Sequence, residues 1–273
     1  MRHGISNALE FLHLEEELRA FTKGRRFLFV VSPGNWGDAL IFAGTMRFLR
    51  ARGFEFETVP FRFALRTPHD ELKQLSGHEE VVFVFMGGGG FLPHYIQARK
   101  FPKLVNNCDR VLVMPSTFPL PIKDLGLRET DKVYRRDNLG SINSAPDAAF
   151  CHDMAFCLGP LDGGAGHGPG YFFREDSERP KGLTLPAQNV DISKQGKERS
   201  PIYGFFQSLA KYETIFTNRL HVAIGGCLLG REVHLFPNSY FKNEAIFHSS
   251  LKANFDRVHF QDNSALGDFV TQF

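Results

Sequence analysis

Short apolar runs alternate with helical segments along most of the chain, and this alternation limits the folds that the chain can adopt. Residues 25–31 ("RRFLFVV") end at the turn signal "SPGNWGD" and are followed by a helical pattern from Asp38 to Arg52. The same order recurs at 80–86 ("EVVFVFM"), which precedes four glycines and a predicted helix near 94–106. Strands that alternate with helices form a parallel sheet with helices on its faces. We therefore predict an α/β protein with a parallel, doubly wound sheet.

The alternation is interrupted once, and this interruption predicts a domain boundary. Residues 159–170 ("GPLDGGAGHGPG") have the glycine and proline density of a linker, and the alternation returns only at residue 201, after a polar, proline-broken stretch at 177–200. Because 273 residues are enough for two small cores, we predict two α/β domains at 1–160 and 171–273. The remaining predicted elements are strands at 55–61, 109–115, 132–137, 148–158, 171–176, 213–216, 231–236 and 255–260, and helices at 201–212, 218–230 and 241–253.

Composition excludes several classes of protein. The formal net charge of +2, from 32 basic and 30 acidic residues, is too small to favour nucleic acid or an anionic membrane surface as a partner. The four cysteines form no CxxC pair and lie in or beside apolar runs, which favours reduced, buried thiols over disulfides or a zinc site. The N-terminus is acidic where a signal peptide needs an apolar core, and no apolar run is as long as a membrane span. We expect a cytoplasmic protein without a metal ion.

Residues 217–236 ("TNRLHVAIGGCLLGREVHLF") place a cation and an imidazole where a strand gives way to a helix. Thr217 and Asn218 are the predicted N-cap residues, so that Arg219 and His221 fall in the first helical turn. A helix N-terminus beyond a strand of an α/β sheet favours an anion, to which Arg219 would add a bidentate fork and His221 a proton donor. The alternative is a buried helix on which these two side chains pair with neighbouring carboxylates.

Two loops of the first half contain glycine and follow predicted strands. The loop "SPGNWGD" lacks the glycine pattern of a dinucleotide site, and its Asn35 and Asp38 either contact a sugar or cap the next helix. The second loop consists of Gly87, Gly88, Gly89 and Gly90. Such a run permits backbone conformations closed to other residues, and its N–H groups could line an anion or acceptor site. The alternative is a plain turn.

Two further basic positions follow strands. The segment "RRD" at 135–137 ends a strand and could direct one arginine into the same crevice, with an exposed charge cluster as the alternative. Lys242 follows the next strand of the second half. Because neighbouring parallel strands bring their C-terminal loops to one edge, we expect Lys242 beside the loop of Arg219 and His221.

Four motifs, taken in order, resemble one known family. They are "GNWGDALI" near the N-terminus, "GGGGFL" after the third strand, "HDMAF" before the linker, and "TNRLHVAIGGCLLGREV" followed by Lys242. Over about residues 28–250 the chain resembles the polysaccharide pyruvyl transferase family. The resemblance implies two Rossmann-like domains in a GT-B-like arrangement with a cleft between them. It also implies transfer of the pyruvyl unit of phosphoenolpyruvate onto two sugar hydroxyls, forming a cyclic ketal and releasing phosphate without a cofactor.

The resemblance also implies roles for individual residues. Arg219 matches an arginine of the family, His221 matches its proton donor, and Lys242 matches a lysine that would help to neutralise phosphate. Arg136 corresponds to the arginine of an Arg-Asp segment, with Arg135 as the alternative. The other substrate-binding positions implied are Asn35, Asp38, Gly87, Gly88, Gly89, Gly90 and Asn218, with the first-half loops facing the sugar.

Partners and rival functions follow from the same resemblance. The expected partners are phosphoenolpyruvate and an acceptor sugar. The acceptor could be linked to a lipid, the protein could attach peripherally to the inner face of the membrane, and it could form a homo-oligomer. One rival function is a glycosyltransferase that uses a nucleotide sugar, because the same fold and helix N-terminus suit a diphosphate. The other is a catalytically silent binding member of the family, suggested by the short second domain.

Overall fold

A computed structural model describes residues 5–266 of the chain. Its strands form a six-stranded and a four-stranded sheet, and every neighbouring pair of strands is parallel. The strands are β1 Phe27–Val31, β2 Phe56–Pro60, β3 Val82–Phe85, β4 Arg110–Ser116, β5 Lys132–Arg135, β6 Ala149–Phe150, β7 Pro169–Phe172, β8 Thr214–Thr217, β9 Glu232–Leu235 and β10 Val258–Phe260. The predicted α/β class is confirmed.

Helices connect these strands and cover the sheets. The α-helices are α1 Leu9–Thr22, α2 Trp36–Ala51, α3 Phe61–Ala64, α4 His69–Ser76, α5 Ile96–Val105, α6 Ser141–Ser144, α7 Tyr203–Ala210, α8 Leu220–Leu228, α9 Lys242–Ile246 and α10 Lys252–Asn254. A π-helical turn, Phe247–Leu251, joins α9 to α10. Short 3-10 helices lie at Ile5–Asn7, Ile122–Leu125, Met154–Leu158, Ile192–Gln195 and Asn263–Ala265.

The first sheet has the strand order β2-β1-β3-β4-β5-β6. Every residue of β1 and β3 is buried, which explains their unbroken apolar sequences, because helices cover both faces of a parallel sheet. The direction in which the sheet is built reverses between β1 and β3. Ligands of open α/β sheets bind beyond the carboxyl ends of the strands at such a switch point. The loops after β1 and β3 are therefore placed side by side at the edge where a ligand is expected.

The second sheet runs in simple order, β10-β9-β8-β7, and α8 lies close against it. A Cβ atom added to Gly226 of α8 would come within 2.8 Å of Val233 and 2.9 Å of Ile215, which belong to β9 and β8. A side chain at position 226 would therefore push the helix away from the sheet. The glycine lets α8, whose first turn carries His221, sit directly on the two central strands.

One cluster of buried apolar side chains extends through both halves of the chain. It includes Phe29 of β1 and Leu40 of α2 together with Ile224 of α8. Trp36 at the start of α2 makes an edge-to-face contact with Phe205 of α7, with ring centroids 5.6 Å apart. The two sheets thus share packing. The GT-B-like cleft and the domain limits at 1–160 and 171–273 stay predictions.

Three predicted elements differ from the structure. The strand predicted at 148–158 is only Ala149–Phe150, since Asp153 accepts a hydrogen bond from the Ala155 N–H and caps a 3-10 helix there. The strand predicted at 171–176 is β7, which starts inside the predicted linker. The prediction that Arg219 lies in the first turn of α8 is wrong. The Thr217 hydroxyl accepts a hydrogen bond from the Arg219 N–H at 2.9 Å, and Arg219 keeps an extended backbone as the N-cap residue.

The cysteines agree with the sequence prediction. Cys108, Cys151, Cys157 and Cys227 are free and buried. Burial raises the pKa of the Cys108 and Cys157 thiols to about 12, which makes both poor nucleophiles at neutral pH. Among the helices of residues 5–266, none combines the length and the apolar character needed to cross a bilayer.

The contact between α2 and the 3-10 helix Met154–Leu158 leads to a prediction about stability. A Cβ atom on Gly44 of α2 would lie 2.0 Å from the carbonyl oxygen of Met154, so a side chain there requires the two backbones to separate. We expect Gly44→Ala to lower the free energy of unfolding by about 1–3 kcal/mol, as overpacking does. In an open helix the same change would stabilise by up to about 1 kcal/mol.

Chemical denaturation at neutral pH measures this difference. The matched control is Arg50→Ala on the exposed face of the same helix, which we expect to stay within about 0.5 kcal/mol of the parent. A Gly44→Ala variant more stable than the parent would contradict the close approach.

Candidate active site

A cavity of about 280 Å³ lies where the carboxyl ends of strands from the two sheets meet. The loops after β1, β3 and β5 line it from the first sheet, and those after β7, β8 and β9 line it from the second. The lining residues are Ser32, Pro33, Gly34, Asn35, Asp38, Gly87, Gly89, Gly90, Tyr95, Gln97, Arg136, Arg174, Glu178, Ser193, Arg219, Leu220, His221 and Lys242. This is the edge at which α/β proteins bind their ligands.

Most of the residues predicted from the sequence line this one cavity. The predicted residues that line it are Asn35, Asp38, Gly87, Gly89, Gly90, Arg136, Arg219, His221 and Lys242. Gly88 and Asn218 are not among its lining residues. The fold therefore brings these predicted residues together, although they lie far apart in the chain. Their individual roles toward a substrate stay predictions.

Gly88 serves the junction between β3 and β4. Its N–H donates to the Pro115 carbonyl at 3.0 Å, and its own carbonyl accepts from the Thr117 N–H at 2.9 Å. Its φ of +123° is open to glycine and strained for other residues. The left-handed backbone at Gly88 thus allows hydrogen bonds that attach the glycine loop to the end of β4. Gly89 and Gly90 lie at the cavity wall.

Asn218 lies behind the cavity and positions two of its loops. It is fully buried, its side-chain oxygen accepts from the Arg174 N–H at 2.8 Å, and its carbonyl accepts from the Asn243 side chain at 2.8 Å. Asn218 therefore connects the end of β7 to α9. Its predicted place among the substrate-binding residues stays a prediction.

Asn35 and Asp38 form the cap of α2. The Asn35 Oδ1 atom accepts from the Gly37 N–H at 2.7 Å, and the Asp38 Oδ2 atom accepts from the Asn35 N–H at 2.8 Å. This reciprocal arrangement is a capping box. The capping interpretation is therefore confirmed, and both residues also line the cavity, so contact with a sugar stays a prediction for the atoms outside the capping box.

Asp153 is a buried carboxylate between Arg136 and His221. Arg136 and Asp153 are each 1% exposed, and the Arg136 Nη1 atom lies 2.5 Å from Asp153 Oδ2. The His221 Nε2 atom is 3.4 Å from the same oxygen. Burial alone would raise the pKa of the Asp153 carboxyl, but Arg136 and His221 outweigh burial and hold this pKa well below its usual range. Asp153 is thus ionised, accepts a hydrogen bond from Arg136 and lies within ion-pair distance of His221.

Arg219 is held by two acidic side chains. Its Nε and Nη2 atoms donate to Asp191 at 2.9 and 2.6 Å, and Nη2 lies 2.8 Å from Asp176. The alternative raised by the sequence, in which arginine and histidine pair with carboxylates, therefore describes real contacts. These contacts fix the guanidinium at the cavity wall, which is compatible with a clamp for an anion, and the clamp stays a prediction.

Glu178 connects three cavity residues. Its carboxylate accepts from Tyr95 Oη at 2.5 Å, from Arg174 Nη1 at 2.6 Å and from Lys242 Nζ at 2.9 Å. Burial lowers the pKa of Lys242 to about 8, although Glu178 acts to raise it. Burial would raise the pKa of Glu178, but Lys242 and Arg174 hold it well below its usual range. Glu178 is therefore ionised beside a lysine that is protonated at neutral pH.

The basic side chains surround the glycine loop. A Cβ atom on Gly89 would lie 3.4 Å from Arg136 Nη2 and 3.8 Å from Lys242 Nζ. An anion placed against Gly89 would thus reach a cation from each half of the chain. Within the described part of the chain, no three His, Cys, Asp or Glu side chains are grouped so that they could hold a metal ion.

Several residues in or behind the cavity were missed in the sequence. Asp153 lies in the motif "HDMAF" and Arg174 at the end of a predicted strand, so both carried a signal that was not used. Glu178 lies in a stretch without a helical or strand period, and Tyr95 comes just before α5. Neither of these two could be connected to the site before its partners were known.

Comparison with known families gives a match over most of the chain. The family model described as polysaccharide pyruvyl transferase matches residues 35–240. The chain belongs to the polysaccharide pyruvyl transferase family. The matched region runs from Asn35 in the α2 cap to Tyr240 and includes Arg136, Asp153 and His221.

A solved structure resembles this member of the pyruvyl transferase family. It is the crystal structure of a functionally uncharacterized protein from Klebsiella pneumoniae, with 26% sequence identity and a TM-score of 0.69. The alignment covers 92% of this chain and 97% of that one. No curated protein matches the chain.

The Asp153 cluster leads to a prediction about acid stability. Because the folded pKa of Asp153 lies below its unfolded value of about 3.9, its ionisation stabilises the fold above about pH 4, and this stabilisation is lost as the pH falls through the folded pKa. We expect Asp153→Asn to lower the free energy of unfolding at pH 7 by roughly 3–5 kcal/mol, since Arg136 is left buried without its carboxylate. The variant should also lose less stability on acidification.

Urea denaturation at neutral pH and at a series of pH values below about 4 tests both parts, because the stabilisation is lost between the unfolded pKa and the lower folded pKa. Asp124→Asn, at an exposed carboxylate, is the control and should behave like the parent. Equal stability of the parent and Asp153→Asn at neutral pH would rule out a dominant role for this ion pair.

Proposed function

We propose that this protein transfers the pyruvyl group of phosphoenolpyruvate onto a sugar of a polysaccharide or of its precursor. The observation that carries the proposal is the cavity in which Arg136, Lys242 and Arg219 converge beside Gly89 and His221. Phosphoenolpyruvate carries a carboxylate and a phosphate, so its site needs several cations and a proton donor. Membership of the polysaccharide pyruvyl transferase family supports the same reaction.

The reaction balances with the groups that line the cavity. One sugar hydroxyl adds to the enol carbon of phosphoenolpyruvate while the methylene carbon takes up a proton and becomes a methyl group. The bond from the former enol carbon to the phosphate oxygen then breaks, and the second hydroxyl oxygen closes the ketal ring. Of the two hydroxyl protons, one replaces the proton given to the methyl group and the other leaves with inorganic phosphate.

His221 is the proposed acid for the methylene carbon, and the basic side chains are the proposed anion site. Asp153 Oδ2 lies 3.4 Å from His221 Nε2, so the carboxylate is close enough to stabilise a protonated ring. We expect Arg136 and Lys242 to contact one anionic group against Gly89, because both lie near this glycine. We expect Arg219, at the N-cap of α8, to contact the other.

Phosphate release distinguishes this function from its rivals. The purified protein would be mixed with phosphoenolpyruvate and a panel of acceptor glycans, and inorganic phosphate and ketal product would be measured. Stabilisation against heat by phosphoenolpyruvate but not by nucleotide sugars favours pyruvyl transfer over glycosyl transfer. Phosphoenolpyruvate binding without phosphate release on any acceptor would favour a binding protein.

Lys242 provides the first prediction about this function. Losing one charge-assisted contact at a buried site costs roughly 1.5–3 kcal/mol, so Lys242→Gln should bind phosphoenolpyruvate about ten- to a hundredfold more weakly. Removal of the lysine also leaves the Glu178 carboxylate facing the ligand. Calorimetry measures the affinity, and Lys252→Gln, at an exposed lysine on α10, is the control. Unchanged affinity in Lys242→Gln would remove Lys242 from the donor site.

His221 provides the second prediction. Glutamine keeps a hydrogen-bond donor but lacks the titratable proton, so His221→Gln should bind phosphoenolpyruvate as the parent does. Its turnover should fall by about a hundredfold or more. The measurement is the rate of phosphate release at saturating phosphoenolpyruvate and acceptor. His248→Gln, at an exposed histidine, serves as the control. A near-parental rate in His221→Gln would mean that the acid is another group.

A further inference from the structure

The proposed reaction leaves one buried acidic side chain of the cavity without a role. Glu178 comes from the irregular stretch at 177–200 and is only 5% exposed. Its carboxylate accepts hydrogen bonds from Tyr95, Arg174 and Lys242 at 2.5 to 2.9 Å. It therefore accepts hydrogen bonds from Arg174 and Lys242, two cations of the cavity wall that an anionic ligand would otherwise contact.

The backbone around Glu178 holds the carboxylate in this place. The Glu178 N–H donates to Asp176 Oδ1 at 3.1 Å, and the Glu178 carbonyl accepts from the Ser239 N–H at 3.1 Å. These two bonds fix the residue between the end of β7 and the loop after β9. Lys242 and Arg174 also keep the Glu178 carboxyl ionised against the effect of burial. A fixed negative charge is thus built into the wall of the proposed anion site.

We propose that Glu178 is a specificity-determining residue that competes with the anionic group of the ligand for Lys242 and Arg174. Like charges a few ångströms apart in a buried site repel each other, so every additional charge on the ligand is opposed by Glu178. The proposal rests on the proposed function for the identity of the natural ligand. It deepens that function by assigning Glu178 a part in limiting how tightly the site holds the anionic groups of substrate and product.

Anion titration tests the proposal without the enzymatic reaction. Glu178→Gln keeps the size of the side chain and an oxygen that accepts hydrogen bonds, but removes the charge. Calorimetric titration with sulfate, a dianion, is carried out at about pH 6, where Lys242 is protonated because burial lowers its pKa only to about 8. Glu178→Gln should bind sulfate about tenfold more tightly than the parent, or about 1.4 kcal/mol.

A second carboxylate provides the matched control. Glu175 is exposed, pairs with Lys194 at 2.8 Å and does not line the cavity. Glu175→Gln makes the same change in net charge three residues away, but water and salt screen that charge from the cavity. Its sulfate affinity should equal that of the parent, so a gain confined to Glu178→Gln identifies a local effect.

Sulfate binding in folded Glu178→Gln that is equal to or weaker than in the parent would overturn the proposal, as would a failure of both proteins to bind sulfate. If Glu178→Gln does not fold, Glu178→Asp replaces it, because it withdraws the carboxylate by one methylene. A smaller gain in the same direction is then expected, and no gain overturns the proposal. If the parent does not release phosphate from phosphoenolpyruvate while the sulfate gain is seen, the proposed function fails and the role of Glu178 stands.

Discussion

The ionised Asp153, buried between Arg136 and His221, is the contact on which the rest of the site depends. A lone carboxylate at 1% exposure would be very costly, and here the cost is offset by a guanidinium at 2.5 Å and an imidazole at 3.4 Å. Arg136 follows β5 of the first sheet, whereas His221 lies on α8 of the second half. The carboxylate therefore holds Arg136 from the first half and His221 from the second half close to each other. The close contact of Gly44 with the Met154 carbonyl holds the segment that carries Asp153 against α2.

The same principle recurs around the cavity, where carboxylates hold the cations that are proposed to bind substrate. Asp191 and Asp176 hold Arg219, and Glu178 holds Lys242. Long basic side chains lose much rotamer freedom when they bind, and holding them in place beforehand reduces that loss. The disadvantage is that each carboxylate also cancels part of the charge offered to an anion. A site built in this way orients its ligand but does not reach the highest possible affinity, so the ligand can exchange.

The sequence predicted what depends on local pattern and missed what depends on side chains that meet across the fold. The unbroken apolar runs of β1 and β3 identified buried parallel strands, and the loops after them line the cavity. The start of α8 was misplaced because the Thr217 hydroxyl, and not a helical propensity, decides that Arg219 stays extended. Glu178 could not be found, since its partners Tyr95 and Lys242 lie far from it in the chain and no period marks its segment.

The order of the second sheet explains why the site needs both halves. Its strands follow one another without a switch point, so that sheet alone has no crevice of the kind that β1 and β3 form. What it supplies instead is the start of α8 and the loops that carry Arg174 and Lys242. An anion against Gly89 would contact Arg136 from one half and Lys242 from the other. Its affinity must then depend on the relative position of the two sheets, which the shared apolar core around α2 and α8 maintains.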